Sequence, residues 1–222
     1  MTRLNTIVFD LDGTLVDSAP VFAVVLNAML AERGSIRRVG LPEVRQFASH
    51  GGPALVGGVL AQDCGDLAAE VTDFRAKYAA CPTPVESLYE GVAEGIQALA
   101  AEGYRLAICS NKPQHLCEKV IADLGFTAQF AAVVGSAPDR MSKPAPDLMD
   151  LVLGKLGASV EECLYVGDSE IDAALAKAMA MRFAFMTYGY ASDVFHAGAL
   201  DRFDRFGDLV STLLPRRART AA

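Results

Sequence analysis

The sequence predicts an α/β protein: a parallel sheet with helices on both faces, interrupted after its first strand by an all-helical domain. Three observations predict it. Short apolar runs recur along the 222 residues, each closed by polar or glycine residues, and continuous rather than alternating apolarity marks strands buried on both faces. From Tyr104 onward these runs alternate with stretches of helical periodicity, the pattern of parallel strands joined by crossover helices. Between Ser18 and Cys81 the alternation stops and only helical patterns remain.

The first strand is TIVFD, residues 6–10. Four helices follow: residues 19–34 (APVFAVVLNAMLAERG), 41–48 (LPEVRQFA), 52–65 (GPALVGGVLAQDCG) and 66–80 (DLAAEVTDFRAKYAA). Val16–Ser18 and Cys81–Ser87 read as the two connections of this inserted unit, Pro82 and Pro84 suiting a linker. The expected division is therefore residues 1–16 and 84–222 for the α/β core, and 17–83 for the helical domain. In residues 92–103, Ile96, Leu99 and Ala100 share a helix face that ends at Gly103, a C-cap residue. Strand 104–110 (YRLAICS) comes next. Residues 114–125 then set Leu116, Val120, Ile121 and Leu124 on one face before Gly125. Strand 131–136, helix 146–157, strand 163–169, helix 170–181 and strand 182–187 repeat the scheme.

Composition limits the function. The hydrophobic fraction is 52% and the net charge -7, with a pI near 5.0. An acidic chain has no general attraction for nucleic acid or anionic lipid. The basic Pro215–Arg219 reads as a solvated end. Five cysteines without CxxC spacing argue against disulfides or a zinc site and for small buried residues with free thiols. No segment approaches the roughly twenty apolar residues that span a membrane, and Arg3 and Asn5 break any leader-like run. The expectation is a cytoplasmic protein, monomer or homodimer, with a small-molecule partner and neither nucleic acid nor membrane.

The chemistry sits at strand ends. In parallel α/β sheets ligands bind beyond the carboxyl ends of the strands. There the sequence places Asp10 and Asp12, then Ser110-Asn111-Lys112, Lys143 in the loop SKPAPD, and Asp168 with Asp172. Carboxylates gathered there repel one another unless a cation lies between them, and Asp-rich oxygen sites suit Mg²⁺. A carboxylate at a strand tip can attack phosphorus, and Asp12, two residues on, can act as acid and base. Gly13 allows the sharp turn between them. Ser110 and Lys143 can bind phosphoryl oxygens. Asp17 reads equally as a helix N-terminal acid near the hinge. Lys112 reads as a loop lysine of ambiguous role. His50, beside Gly51-Gly52, reads equally as a substrate contact or an exposed loop residue. The glycines of HGGPALVGG read as a substrate loop or as turn and packing residues. His115 and His196 read as surface residues.

Together DLDGTLVDS, SNKP, SKPAPD and GDSEID resemble the four ordered motifs of the haloacid dehalogenase superfamily, along the whole chain. The resemblance implies a Rossmann-like core, a helical cap inserted after the first motif, and phosphohydrolase activity. It implies Asp10 as nucleophile and Asp12 as acid/base. Mg²⁺ would be held by Asp10, the Asp12 carbonyl oxygen and Asp168, with Asp172, Gly13 and Thr14 in support. Ser110, Asn111 and Lys143 would bind phosphate. The nearest resemblance is to phosphoglycolate phosphatases, whose glycine-rich cap stretch is similar to residues 49–60. The fourth-motif helix usually ends in Ala-Gly there; here it ends AKAMAMRF, which predicts a locally different helix end. The competing readings are another phosphatase of this superfamily (for sugar phosphates, nucleotides or pyrophosphate), a phosphomutase, and a non-catalytic phospho-acceptor. The last does not explain Asp12 or the helical domain.

Overall fold

The structure, a computed structural model, describes residues 4–191 and 201–214. Strand β1 (Thr6–Phe9) leads into four helices, α1 (Ala19–Glu32), α2 (Leu41–Ala48), α3 (Gly52–Leu60) and α4 (Leu67–Ala80). Helix α5 (Val92–Ala101) and strand β2 (Arg105–Pro113) resume the alternation. Then come α6 (Gln114–Asp123), β3 (Phe130–Ser136), α7 (Asp147–Leu156), β4 (Cys163–Gly167), α8 (Glu170–Ala178) and β5 (Arg182–Met186). A two-residue β6 (Arg202–Phe203) and α9 (Phe206–Leu213) follow. The strand order is β3-β2-β1-β4-β5-β6, and every neighbouring pair is parallel. β1 is therefore central, and its tip is walled by β2 and β4.

Side-chain alternation along the strands builds two cores. Ile7, Phe9, Leu106, Ile108, Leu164 and Val166 face the layer that holds α5, α6 and α9. Val8, Ala107, Cys109, Cys163 and Tyr165 face α7 and α8. The expected sheet with helices on both faces is the observed one. β6 and α9 were not anticipated, because two residues of strand carry no periodicity to read.

Helices α1–α4 pack on one another around Phe22, Leu26, Phe74 and Tyr78. The Phe22 and Tyr78 rings lie 5.2 Å apart and Phe74 stacks on Tyr78. Asp66 caps α4 by accepting a hydrogen bond from the Ala69 N–H at 2.9 Å, as an N-cap carboxylate should. The two connections run side by side: the Asp17 N–H donates to the Ser87 carbonyl at 2.8 Å, and the Tyr89 N–H to the Leu15 carbonyl at 3.1 Å.

Three expectations about local structure are corrected. The helix expected over 52–65 stops at Leu60 and continues as a separate single turn, Ala61–Asp63. Strand β2 does not end at Ser110 but runs to Pro113, with a register shift between Cys109 and Pro113. Three residues of β2 there oppose the single Gly135 of β3, a bulge that turns Ser110, Asn111 and Lys112 out of the ladder. Gly135 of β3 permits it, since a Cβ there would lie 2.6 Å from the Lys112 carbonyl. Finally, α8 closes as though a glycine were present. Ala180 takes φ +52°, the Ala180 N–H donates to Lys177, and the Met181 N–H to Ala176, the paired bonds of a left-handed helix cap.

All five cysteines are free, and Cys109, Cys117 and Cys163 are buried. Among the described residues no helix is long and apolar enough to cross a membrane. The Pro215–Arg219 segment and His196 lie outside the described residues.

Candidate active site

The tip of β1 turns sharply after Asp10. Gly13 takes φ +86°, and its N–H donates to the Val16 carbonyl at 2.8 Å. This turn sets Asp10 and Asp12 at the carboxyl edge of the sheet, both buried. The bulge of β2 brings Ser110, Asn111 and Lys112 beside them, and the loop after β3 brings Lys143. β4 ends in Asp168, and the first turn of α8 supplies Asp172. Residues separated by up to 162 positions thus converge at one edge.

Lys143 is the hub. Its Nζ lies 3.0 Å from Asp10 Oδ2 and 2.7 Å from Asp172 Oδ1, and it donates to the Tyr165 hydroxyl at 3.0 Å. Burial alone would lower the pKa of this ammonium, but Asp10 and Asp172 outweigh that and hold it above its ordinary value. The Asn111 amide fixes the Lys143 backbone, accepting from its N–H at 2.7 Å and donating to its carbonyl at 3.2 Å. Asp172 is saturated. It accepts from Lys143, from the Tyr165 hydroxyl at 2.5 Å and from the Ser169 hydroxyl at 2.7 Å. Lys143 accordingly keeps its carboxyl below the ordinary value despite burial.

Asp10 differs. Burial pushes it up to about 6, with Lys143 pulling down and Asp172 pushing up. Asp168 is raised well above its ordinary value by burial and by the charges of Asp172 and Asp10. Its donors are neutral: the Thr14 hydroxyl at 2.7 Å and the Tyr190 N–H at 2.8 Å. Oxygens of Asp10, Asp168 and Asp172 all lie within 4.8 Å of one another. Three buried carboxylates so close, one of them without a cationic partner among the described residues, form a donor set that fits a divalent cation. Glycines shape the cradle. A Cβ on Gly13 would lie 2.2 Å from Asp168 Oδ2, and one on Gly189 would lie 2.2 Å from Asp168 Cβ.

Asp12 is held separately. Lys112 Nζ lies 2.9 Å from its Oδ2, and the Ser18 hydroxyl donates to its Oδ1. The Lys112 ammonium also sits over the rings of Phe22 and Tyr78, 4.8 and 4.5 Å from their centroids. The loop lysine is thus a buried partner of Asp12, raised above its ordinary value by that carboxylate against the cost of burial. Asp17 lies at the connection from the sheet to α1: Arg45 of α2 pairs with it at 2.6 Å and the Tyr190 hydroxyl donates to it at 2.8 Å.

A small cavity opens over this edge. Asp10, Asp12, Ser110, Asn111 and Lys112 line its floor; Phe22, Gly52, Leu55, Phe74, Arg75 and Tyr78 line its roof. His50 is exposed and lines an outer groove with Gly51, Gly52, Arg75 and Asn111 instead; His115 is exposed at the same groove. The glycines divide. Gly51 (φ +85°) makes a turn and borders the cavity with Gly52, whereas Gly58 is a packing glycine whose Cβ would meet the Phe47 ring at 2.7 Å. The sequence reading missed Ser18, Tyr165, Gly189 and Tyr190. Gly189 and Tyr190 follow β5, so the strand-end rule that found Asp168 would have reached them too.

A carboxylate at a central strand tip, a second beside it, a buried lysine and three clustered carboxylates that could hold a cation are what a phosphoryl-transfer hydrolase on an α/β core requires. A family model described as haloacid dehalogenase-like hydrolase matches residues 4–180. A phosphoglycolate phosphatase from Cereibacter sphaeroides is 39% identical over 219 residues, covering 94% of this chain and 98% of the relative. One from Rhodospirillum rubrum is 37% identical, covering 92% and 89%. Among solved structures, a predicted phosphoglycolate phosphatase from Haemophilus somnus superposes with a TM-score of 0.81 at 27% identity, covering 96% of this chain and 100% of that one. CbbY from Rhodobacter sphaeroides in complex with phosphate superposes at 0.78, with 23% identity and coverage of 93% and 96%, a likeness of fold. The chain belongs to the haloacid dehalogenase-like hydrolase family. Its enzyme class is phosphatase, hydrolysing phosphoesters.

Proposed function

We propose that this phosphatase acts on 2-phosphoglycolate, with Asp10 as nucleophile, Asp12 as acid and base, and residues 17–83 as a cap over the core formed by 1–16 and 84–222. One observation carries the reading: Asp10, Asp12 and Ser110 face a cavity roofed by Phe22, Leu55, Phe74 and Tyr78 of the helices, so a small phosphoester bound there is shielded from bulk water. The relatives named phosphoglycolate phosphatase support the choice of substrate.

The Asp10 carboxylate attacks phosphorus, and the ester oxygen leaves with a proton from Asp12. Asp12 then takes a proton from water, whose oxygen attacks the aspartyl-phosphate; phosphate leaves and Asp10 is restored. Lys112 and Ser18 orient Asp12. Lys143 and Ser110 bind phosphoryl oxygens, Asn111 fixes the Lys143 backbone, and Asp172 fixes its ammonium. Asp10, Asp168 and the Asp12 carbonyl would hold Mg²⁺, with Thr14 and Gly13 positioning Asp168. Bound there, Mg²⁺ supplies positive charge between carboxylates and phosphate.

The test is phosphate release from 2-phosphoglycolate, sugar phosphates, nucleoside monophosphates and pyrophosphate, with and without Mg²⁺. The expected result is Mg²⁺-dependent turnover, highest on 2-phosphoglycolate, which Asp10→Asn lowers by roughly a thousandfold or more. Preference for another ester would overturn the substrate. Full activity of Asp10→Asn would overturn the nucleophile.

A further inference from the structure

Four charged side chains line the cavity: Asp10, Asp12, Lys112 and Arg75. Three have an opposite charge beside them, Asp10 with Lys143 and Asp12 with Lys112. Arg75 of α4 is the exception. It has no ion pair among the described residues, and its Nε, closed off from solvent, has no hydrogen-bond partner. A buried donor left unmade costs as much as a lost hydrogen bond, and a guanidinium cannot escape the cost by losing its proton. A ligand in the cavity with an acceptor there would relieve it.

Position says which end of the ligand that is. Asp10 and Asp12 line only the inner cavity, whereas Arg75 also lines the outer groove with Gly51, Gly52 and Asn111. Arg75 therefore stands where the cavity meets its mouth, on the helical side, and the phosphoryl-binding residues stand on the sheet. Gly52 lets the backbone lie against the guanidinium: a Cβ there would be in ordinary contact, 3.4 Å from Nη2 and 3.5 Å from Nε. The neighbouring roof residues Phe22, Leu55 and Phe74 offer no charge. A planar fork of donors in such a place matches a carboxylate.

We infer that Arg75 is the specificity residue of this enzyme, binding a carboxylate on the organic half of the substrate while the phosphoryl group sits at Asp10. The inference rests on the proposed phosphoglycolate reading and adds the residue that would select it. It also explains how a pocket with an apolar roof can prefer an ester whose organic half carries a carboxylate over one of the same size whose organic half is uncharged.

The experiment compares 2-phosphoglycolate with ethyl phosphate, in which a methyl replaces the carboxylate, for wild type, Arg75→Met and Arg75→Lys. Arg75→Met should lower kcat/KM on 2-phosphoglycolate roughly 10- to 100-fold, change ethyl phosphate by less than about threefold, and leave inhibition by inorganic phosphate unaltered. Arg75→Lys should recover part of the loss. Equal loss on both esters, or weaker inhibition by phosphate, would overturn the inference by making Arg75 structural or phosphoryl-binding. If the wild type prefers 2-phosphoglycolate and Arg75→Met keeps that preference, the substrate reading stands and Arg75 alone falls. If the wild type does not distinguish the two esters, both fall.

Discussion

At residue scale, Ala180 and Gly189 show what a single Cβ decides. Ala180 is exposed and holds φ +52°, the left-handed region that favours glycine. An L-residue with a side chain is strained there, so Ala180→Gly should raise stability by about 1 kcal/mol, read as a higher denaturation midpoint with unchanged activity. Gly189 is the opposite case. A Cβ there would strike Asp168 Cβ, which its own backbone fixes, so it cannot swing aside. Gly189→Ala should lower activity roughly 10- to 100-fold by displacing a carboxylate of the cation cradle, with Mg²⁺ affinity falling in parallel in a binding titration. Asp10, Asp12, Ser110, Lys143, Asp168 and Asp172 were legible because charged and hydroxyl residues ending apolar strands have no structural reason to be there. Lys112 was not. Nothing local distinguishes a solvated loop lysine from one folded back over two rings to meet Asp12.

At the scale of elements, the strands and helices from β2 to β5 were read correctly because their periodicity comes from the sheet that buries them. Boundaries failed where packing overrode pattern. The bulge in β2 is enforced by its register with β3 and by Gly135, which no window within residues 104–110 contains. The helical unit is tied together by charges that sequence spacing does not pair. Arg33 at the end of α1 reaches Glu70 in the first turn of α4 with two bonds, 2.9 and 2.7 Å. Those bonds hold the Glu70 carboxyl below its ordinary value. A lowered pKa stabilises the fold above the unfolded value, near 4.3, and that contribution is lost as the pH falls through the folded value. Glu70→Gln should therefore cost about 0.5–1 kcal/mol at neutral pH, the modest worth of a partly exposed pair. In urea denaturation the gap between variant and wild type should close as the pH drops below the ordinary carboxylate range.

At the scale of the whole molecule, the α/β core and the helices meet over the site, and the core carries three mutually repelling carboxylates at its edge. A cation that binds only the folded protein stabilises it by mass action. At a hundredfold excess over its Kd, Mg²⁺ should add about 2.7 kcal/mol, roughly 5–10 °C in Tm for a chain of this size. Chelation should remove the gain, and Asp168→Asn should abolish it. A Tm indifferent to Mg²⁺ in the wild type would count against the cradle.

Sequence alone determined the sheet, the inserted helices, the strand-end chemistry and the family resemblance, because each is written in local periodicity or in residues misplaced for a purely structural role. Only the tertiary structure decided which charges meet: Lys143 between Asp10 and Asp172, Lys112 on Asp12, Asp17 turned to Arg45, His50 left at the outer groove, and Arg75 without a partner. Those pairings depend on distances between residues up to a hundred and more positions apart, and Coulomb energies and hydrogen bonds are set by ångströms in space, not by separation along the chain.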